Sequence, residues 1–323
     1  MQRVVAYAMG ASALAGCGES ANVHDDAAVA NSDVAIVDTL DAANPWCIAE
    51  TALVGGTACA IRPSATNAGM TDAFGYHVIA IPSGASAATP LYIFFKGTGG
   101  KPFEPATSMY LGSSLLIMQE AIDHGRIGII VAYDNMPTLD VICGDDLDCY
   151  GAVRLEILEG IEANDPGDVK HVRPPNDATT RLEDLLPYVD GHAPGRVPTT
   201  INWATTRLIG GSQGGGHVAY LAKLLHSVEW VCNLAGLGDS SVSANEPATW
   251  TTSSVWMTPL TSMRAVMHDQ DPYFARTMPV WTAFGFVVDD NARLLSAPAA
   301  DPHNFVVTAD PIAVAARLWA CFE

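Results

Sequence analysis

An apolar run, Arg207-Leu208-Ile209, enters Gly210-Gly211-Ser212-Gln213-Gly214-Gly215-Gly216-His217, and a helix-compatible segment follows at 218–225. Glycines two residues before and two after a serine, between a strand-like and a helix-like segment, form the pattern of a nucleophile elbow. Such a turn is too tight for side chains at its flanks, so Gly210 and Gly214 let the backbone close. Ser212 is then held above the strand end with its hydroxyl exposed. The helix behind it aims N–H groups without intrahelical acceptors at any negative charge that develops nearby. A glycine-rich turn between two core elements would carry the same letters, so the elbow needs partners elsewhere in the chain.

Three segments supply them. Residues 90–95 read as a buried strand, and Lys96-Gly97-Thr98-Gly99-Gly100-Lys101-Pro102 follows directly. Acyl transfer builds negative charge on a carbonyl oxygen, and each N–H already aimed at that oxygen is worth about 3 kcal/mol. Gln213, beside the nucleophile, offers one such group, and the glycine loop offers the other at Thr98. Residues 263–268 are strand-like and end at Asp269-Gln270-Asp271-Pro272. A general-base histidine needs a buried acceptor on Nδ1 to fix its tautomer, and loops leaving strand ends supply such groups. Asp269 and Asp271 both fit. Of nine histidines, only His303 follows Ser212 and both aspartates; it lies in a polar loop before a final helical segment at 312–321. Ser, then Asp, then His is an order that one particular fold requires.

On these residues the chain resembles the α/β-hydrolase superfamily of serine hydrolases, from about Tyr76 to the C-terminus. Within it the chain is similar to a group of bacterial secreted hydrolases, which share the Gly-x-Ser-x-Gly-Gly-Gly-His elbow at 210–217 and an amphipathic helix at 177–189. The resemblance implies an α/β fold: a mostly parallel sheet with helices on both faces. It also implies Ser212 as nucleophile, His303 as base, Asp271 as acid with Asp269 as the alternative, and Thr98 and Gln213 at the oxyanion hole. The superfamily's acid often stands in Gly-x-x-Asp before proline, and setting His268 in the glycine position selects Asp271-Pro272. The chain departs at Lys96-Gly97, where many relatives have His-Gly.

The implied reaction is cleavage of carboxylic esters through an acyl-enzyme, on a small-molecule or polymer substrate, with no cofactor and no metal. A non-catalytic surface protein that keeps the fold for binding or adhesion is the alternative, and loss of a triad member is its usual sign. Pocket shape sets acyl length and bond type, and residue spacing does not give it.

The N-terminus reads as an export signal. Met1-Gln2-Arg3 is a short basic start, 4–13 is apolar but too short to span a membrane, and Leu14-Ala15-Gly16-Cys17 matches a lipobox with Cys17 as the lipidated residue. The expected location is the cell envelope, with the membrane met only through this anchor. Residues 18–44 carry six acidic residues and no Lys or Arg, and lack the apolar content for a core, so an acidic tether is expected. The remaining 279 residues, 45–323, are long enough for one catalytic domain. Without the signal the chain has 15 Lys and Arg against 35 Asp and Glu, a net charge of −20. Such a surface repels nucleic acid and anionic membranes.

Six cysteines follow Cys17, an even number that implies disulfides in an exported chain. Fifteen pairings are possible. Proximity favours Cys47–Cys59 and Cys143–Cys149, leaving Cys232–Cys321. Strands are expected at 76–81 and 127–133 and helices at about 113–124 and 152–163. The stretch 134–177 breaks the alternation and reads as a small cap or rim insertion. Its aspartates Asp140, Asp145, Asp146 and Asp148 do not follow calcium-loop spacing, so a solvated disulfide-bonded loop is expected. Trp256 and Met257 suit either a pocket wall or a core position. Oligomeric state is not encoded in any of these patterns.

Overall fold

The computed structural model describes residues 46–163 and 169–323. Eleven strands run β1 (Ala49–Leu53), β2 (Gly56–Ile61), β3 (His77–Pro82), β4 (Leu91–Phe95), β5 (Phe103–Glu104), β6 (Met109–Tyr110), β7 (Ile127–Ile130), β8 (Arg207–Gly211), β9 (Trp230–Leu234), β10 (Met263–His268) and β11 (Ala292–Leu295). The helices are α1 (Pro63–Thr66), α2 (Ser114–Asp123), α3 (Leu139–Cys143), α4 (Cys149–Glu159), α5 (Ala178–His192), α6 (Gln213–Tyr220), α7 (Thr249–Thr252), α8 (Phe274–Phe284) and α9 (Pro311–Phe322). β5 and β6 form a separate ribbon. The other nine strands make one sheet in the order β1-β2-β3-β7-β4-β8-β9-β10-β11. It is antiparallel from β1 to β7 and parallel from there to β11.

Strands buried on both faces must be apolar at every position, and alternate residues then serve two cores. In β4, Leu91, Ile93 and Phe95 pack on one face, while Tyr92 and Phe94 pack on the other. The first face is covered by α4, α5, α6 and α8 through residues such as Val153, Leu182, Val218 and Trp281. The second is covered by α2 and α9 through Ile117, Met118, Ala316 and Trp319. The layered architecture agrees with the expected α/β fold. β3, β8, β10, α2 and α9 stand within about two residues of their expected positions, and α5 ends three residues later than expected, at His192. β7 ends three residues sooner than expected, at Ile130.

The helix after Ser212 differs more: it begins at Gln213, five residues before the expected start, and Leu221–Leu225 continues it as a π turn. Glycine's low propensity argues against helix at 214–216, but burial in the tight turn against β8 overrides it. Within 134–177, α3 and α4 form the ordered part, and five residues of that stretch lie outside the described set. The expected export signal, Cys17 and the tether also lie outside it.

All three cysteine pairs are bonded as expected: Cys47–Cys59, Cys143–Cys149 and Cys232–Cys321. Three disulfides belong to an oxidising, exported environment. The third joins β9 to α9 across 89 residues, a closure worth about 4–5 kcal/mol in the chain-entropy view. Among the described residues, no helix is long and apolar enough to cross a membrane.

A buried ion pair clamps α9 to α2. Arg317, fully buried, donates to Glu120 from Nε at 2.9 Å and from its second terminal nitrogen at 2.5 Å. Its other terminal nitrogen donates to the Val306 and Thr308 carbonyls at 2.7 and 3.1 Å. Arg317→Met leaves Glu120 buried without its partner and should cost about 3–5 kcal/mol in chemical denaturation, whereas adding Glu120→Leu should recover most of the loss. Additive losses in the double variant would contradict the pairing.

Candidate active site

β8 is the sixth strand of the sheet, and its end places Ser212 in a rare backbone conformation, φ +52° and ψ −125°. A Cβ at Gly210 would collide with the Gly214 carbonyl, and one at Gly214 with the Phe95 carbonyl of β4. This is why both positions are glycine. The Ser212 N–H donates to the Leu234 carbonyl of β9 at 2.8 Å, so the strained residue is pinned to the neighbouring strand.

The structure brings His303 and Asp271 to this serine. His303 Nε2 lies 2.8 Å from Ser212 Oγ, and Nδ1 lies 2.8 Å from Asp271 Oδ2. With a carboxylate on Nδ1 the neutral imidazole carries its proton there, leaving Nε2 to accept the serine hydroxyl. The Asp271 side chain is fully buried, and its Oδ1 accepts the Tyr273 N–H at 2.8 Å. Asp269 is not in this chain of bonds: it accepts the Ser296 hydroxyl at 2.6 Å, on the β11 side. The neighbouring His268 is spent structurally. Its Nε2 faces the Ala297 carbonyl at 2.6 Å, and its Nδ1 accepts the Gln270 N–H at 3.0 Å.

The glycine loop after β4 lies against Ser212: a Cβ at Gly97 would stand 2.7 Å from Ser212 Cβ. Thr98 Oγ1 donates to the Gln213 side-chain oxygen at 3.2 Å, tying the loop to the first residue of α6. At that position the Gln213 N–H has no intrahelical acceptor. Among the described residues the Thr98 N–H has none either. Lys96, which replaces the histidine of the resemblance, is buried, and its ammonium donates to the Leu111 and Lys101 carbonyls at 2.9 and 3.1 Å. Tyr133 donates to the Lys96 carbonyl at 2.5 Å, and Asn135 donates to that of Gly97 at 2.6 Å. The loop is thus held at its carbonyls, and the Gly100 N–H turns inward to that of Gly97 at 3.0 Å, while the Thr98 N–H is left without a protein acceptor among the described residues.

Residue patterns did not reveal the groups beneath α6. Arg154 of α4 grips Asp239 with two bonds of 2.5 and 2.6 Å and also donates to the Gln213 carbonyl at 3.2 Å. Trp250 donates to the same carboxylate at 2.8 Å. The only sequence signal was the third glycine: a Cβ at Gly216 would overlap the Arg154 guanidinium.

Three of the four aspartates singled out in the stretch 134–177 are spent on protein groups. Asp140 pairs with Arg276 at 2.7 Å, Asp145 accepts the Ser243 N–H at 2.8 Å, and Asp146 accepts those of Asp148 and Cys149 at 3.1 and 3.2 Å. Trp256 packs on Phe284, 5.0 Å between ring centroids, and on the Lys223 ammonium, 4.0 Å from its ring, beyond the C-terminal end of α6. It is packing rather than a wall at Ser212.

Sheet order, strand polarity and the position of the elbow define the α/β-hydrolase fold. The chain is similar to a tributyrin phosphonate-inhibited esterase B from Lactobacillus rhamnosis, with a TM-score of 0.51 at 12% identity over 84% of this chain and 85% of that one. Two further similar structures are an α/β-hydrolase enzyme from a Medee basin deep-sea metagenome library and carboxyl esterase 2 from the mycorrhizal fungus Tuber melanosporum. The first gives a TM-score of 0.43 at 12% identity, over 82% of this chain and 93% of that one. The second gives 0.42 at 13% identity, over 74% and 78%. No family model matches the chain, and no curated protein sequence matches it.

Two histidines, His77 of β3 and His217 of α6, are fully buried. Burial first, and the Arg181 charge beyond it, hold His77 well below the ordinary 6.5; burial, Arg154 and Lys170 do the same to His217. Both are neutral when folded, whereas the unfolded chain takes up protons near 6.5. Their contribution is complete above that pH and is lost as pH falls below it, by about 1.4 kcal/mol per pH unit for each. Denaturation followed from about pH 7 to 5 should show a slope that His217→Phe lessens by one histidine's share; an unchanged slope would refute this.

Proposed function

We propose that the protein is a serine hydrolase that cleaves carboxylic esters by way of an acyl-enzyme. The observation that carries this is the bonded chain Ser212–His303–Asp271, two contacts of 2.8 Å, set at an elbow facing the Gly97–Thr98 loop. His303 takes the hydroxyl proton as Ser212 attacks, and Asp271 steadies the imidazolium that forms. The N–H groups of Thr98 and Gln213 receive the oxyanion. Water, activated by the same histidine, then releases the acid. The phosphonate-inhibited esterase B that shares the fold supports ester chemistry by analogy. In this reading the exported chain is held at the membrane through Cys17 by the 18–44 tether, and α3 and α4 form the rim of the site.

A fluorophosphonate probe and a series of p-nitrophenyl esters test the proposal together. Ser212→Ala should abolish labelling and lower kcat by at least ~10⁴-fold while the protein stays folded. A folded wild-type protein that neither labels nor turns over would instead favour a binding protein on a hydrolase scaffold.

The acid is tested by a comparison. Asp271→Asn should lower kcat by up to about 10⁴, because the imidazole loses the partner that sets its tautomer. Asp269→Asn should disturb only the Ser296 contact. A larger kcat loss from Asp269→Asn at equal stability would reverse the assignment.

A further inference from the structure

Tyr273 stands two residues after Asp271, and its ring meets the His303 ring edge to face, centroids 5.0 Å apart at 70°. Its main chain is fixed, since its N–H donates to Asp271 Oδ1 and the residue caps α8. Its side chain is open: the residue is 46% exposed, an aromatic surface beside the imidazole without cover. Nothing in the proton path uses it.

Reaction chemistry decides which part of an ester lies there. Ser212 Oγ bonds to the acyl carbon while its proton passes to His303 Nε2. The bond between that carbon and the alcohol oxygen then breaks, and the proton moves from Nε2 to this oxygen, so the neutral alcohol departs. The leaving oxygen must lie within hydrogen-bond reach of Nε2. The carbonyl oxygen faces the other way, toward Thr98 and Gln213. Whatever the leaving oxygen carries projects along the imidazole side, where Tyr273 stands. Met136, another exposed apolar side chain, lies by Gly99 on the loop side.

We propose that Tyr273 forms the leaving-alcohol subsite and selects esters of uncharged, aromatic-bearing alcohols. The proposal rests on the ester-hydrolase reading above. An aromatic face left open at a site is best covered by another ring or an apolar group. An anionic alcohol would find no welcome: Asp301 is exposed two residues before His303, and Arg276 is committed to Asp140.

The test uses the folded chain with 2-phenylethyl acetate and ethyl acetate, which share one acyl group. Wild-type kcat/KM should favour the phenylethyl ester by about tenfold. Tyr273→Ala, which keeps the N–H to Asp271, should bring the ratio near one, and Tyr273→Phe should preserve it. A wild-type measurement stands beside the variants. By microscopic reversibility, 2-phenylethanol should intercept the acyl-enzyme in preference to ethanol at equal concentration. Equal wild-type turnover of the two esters, or equal losses on both in Tyr273→Ala, would overturn the subsite. Absence of any ester turnover and of serine labelling would overturn the hydrolase reading itself, and the subsite with it.

Discussion

The backbone at Ser212 is the constraint on which the rest of the structure depends. A serine at φ +52° costs on the order of 1–3 kcal/mol and persists only where its surroundings over-determine it. Here Gly214 lies under the Phe95 carbonyl, the Ser212 N–H is held by β9, and Gly216 rests on Arg154. These contacts come from β4, β9 and α4, which together surround β8. The pose of Ser212 is consequently a property of the sheet's packing, and the glycine loop after β4 is brought to it by the same contact. A substitution that spreads β4 from β8 would move the serine and the glycine loop at once.

Much of this was legible along the chain, and the limits have physical causes. The elbow, the loop at 96–102 and the strand at 263–268 are local patterns in which glycine placement and apolar runs speak directly. The choice between Asp269 and Asp271 is not local: two residues of loop path separate a carboxylate aimed at His303 from one aimed at Ser296. The Arg154–Asp239 pair spans 85 residues, and neither partner stands in a motif. The β1–β2 hairpin and β11 also escaped notice, because short strands at a sheet edge draw their order from neighbours rather than from their own periodicity. The disulfides were accessible because few cysteines were available to pair.

Charge is distributed by depth. Lys96, Arg154, Lys170, Arg181, Lys223 and Arg317 are all buried, six of the chain's 16 Lys and Arg, and carbonyl oxygens are among their partners. Arginine suits this task, since one planar fork can hold a carboxylate and several loop carbonyls together. With so many of its cations inside, the molecule presents solvent with a surface more uniformly acidic than its composition alone would indicate.

Arg317 and Cys321 lie late in the chain, yet they fix the loop that carries His303 and the strand beside β8. For a chain that emerges residue by residue from a ribosome or a translocation pore, this ordering sets a timetable. The elbow and the glycine loop can take shape early, but the imidazole has no fixed seat until the final helix has docked. A molecule whose last helix is still unmade would hold Ser212 in its turn with no imidazole seated beside it.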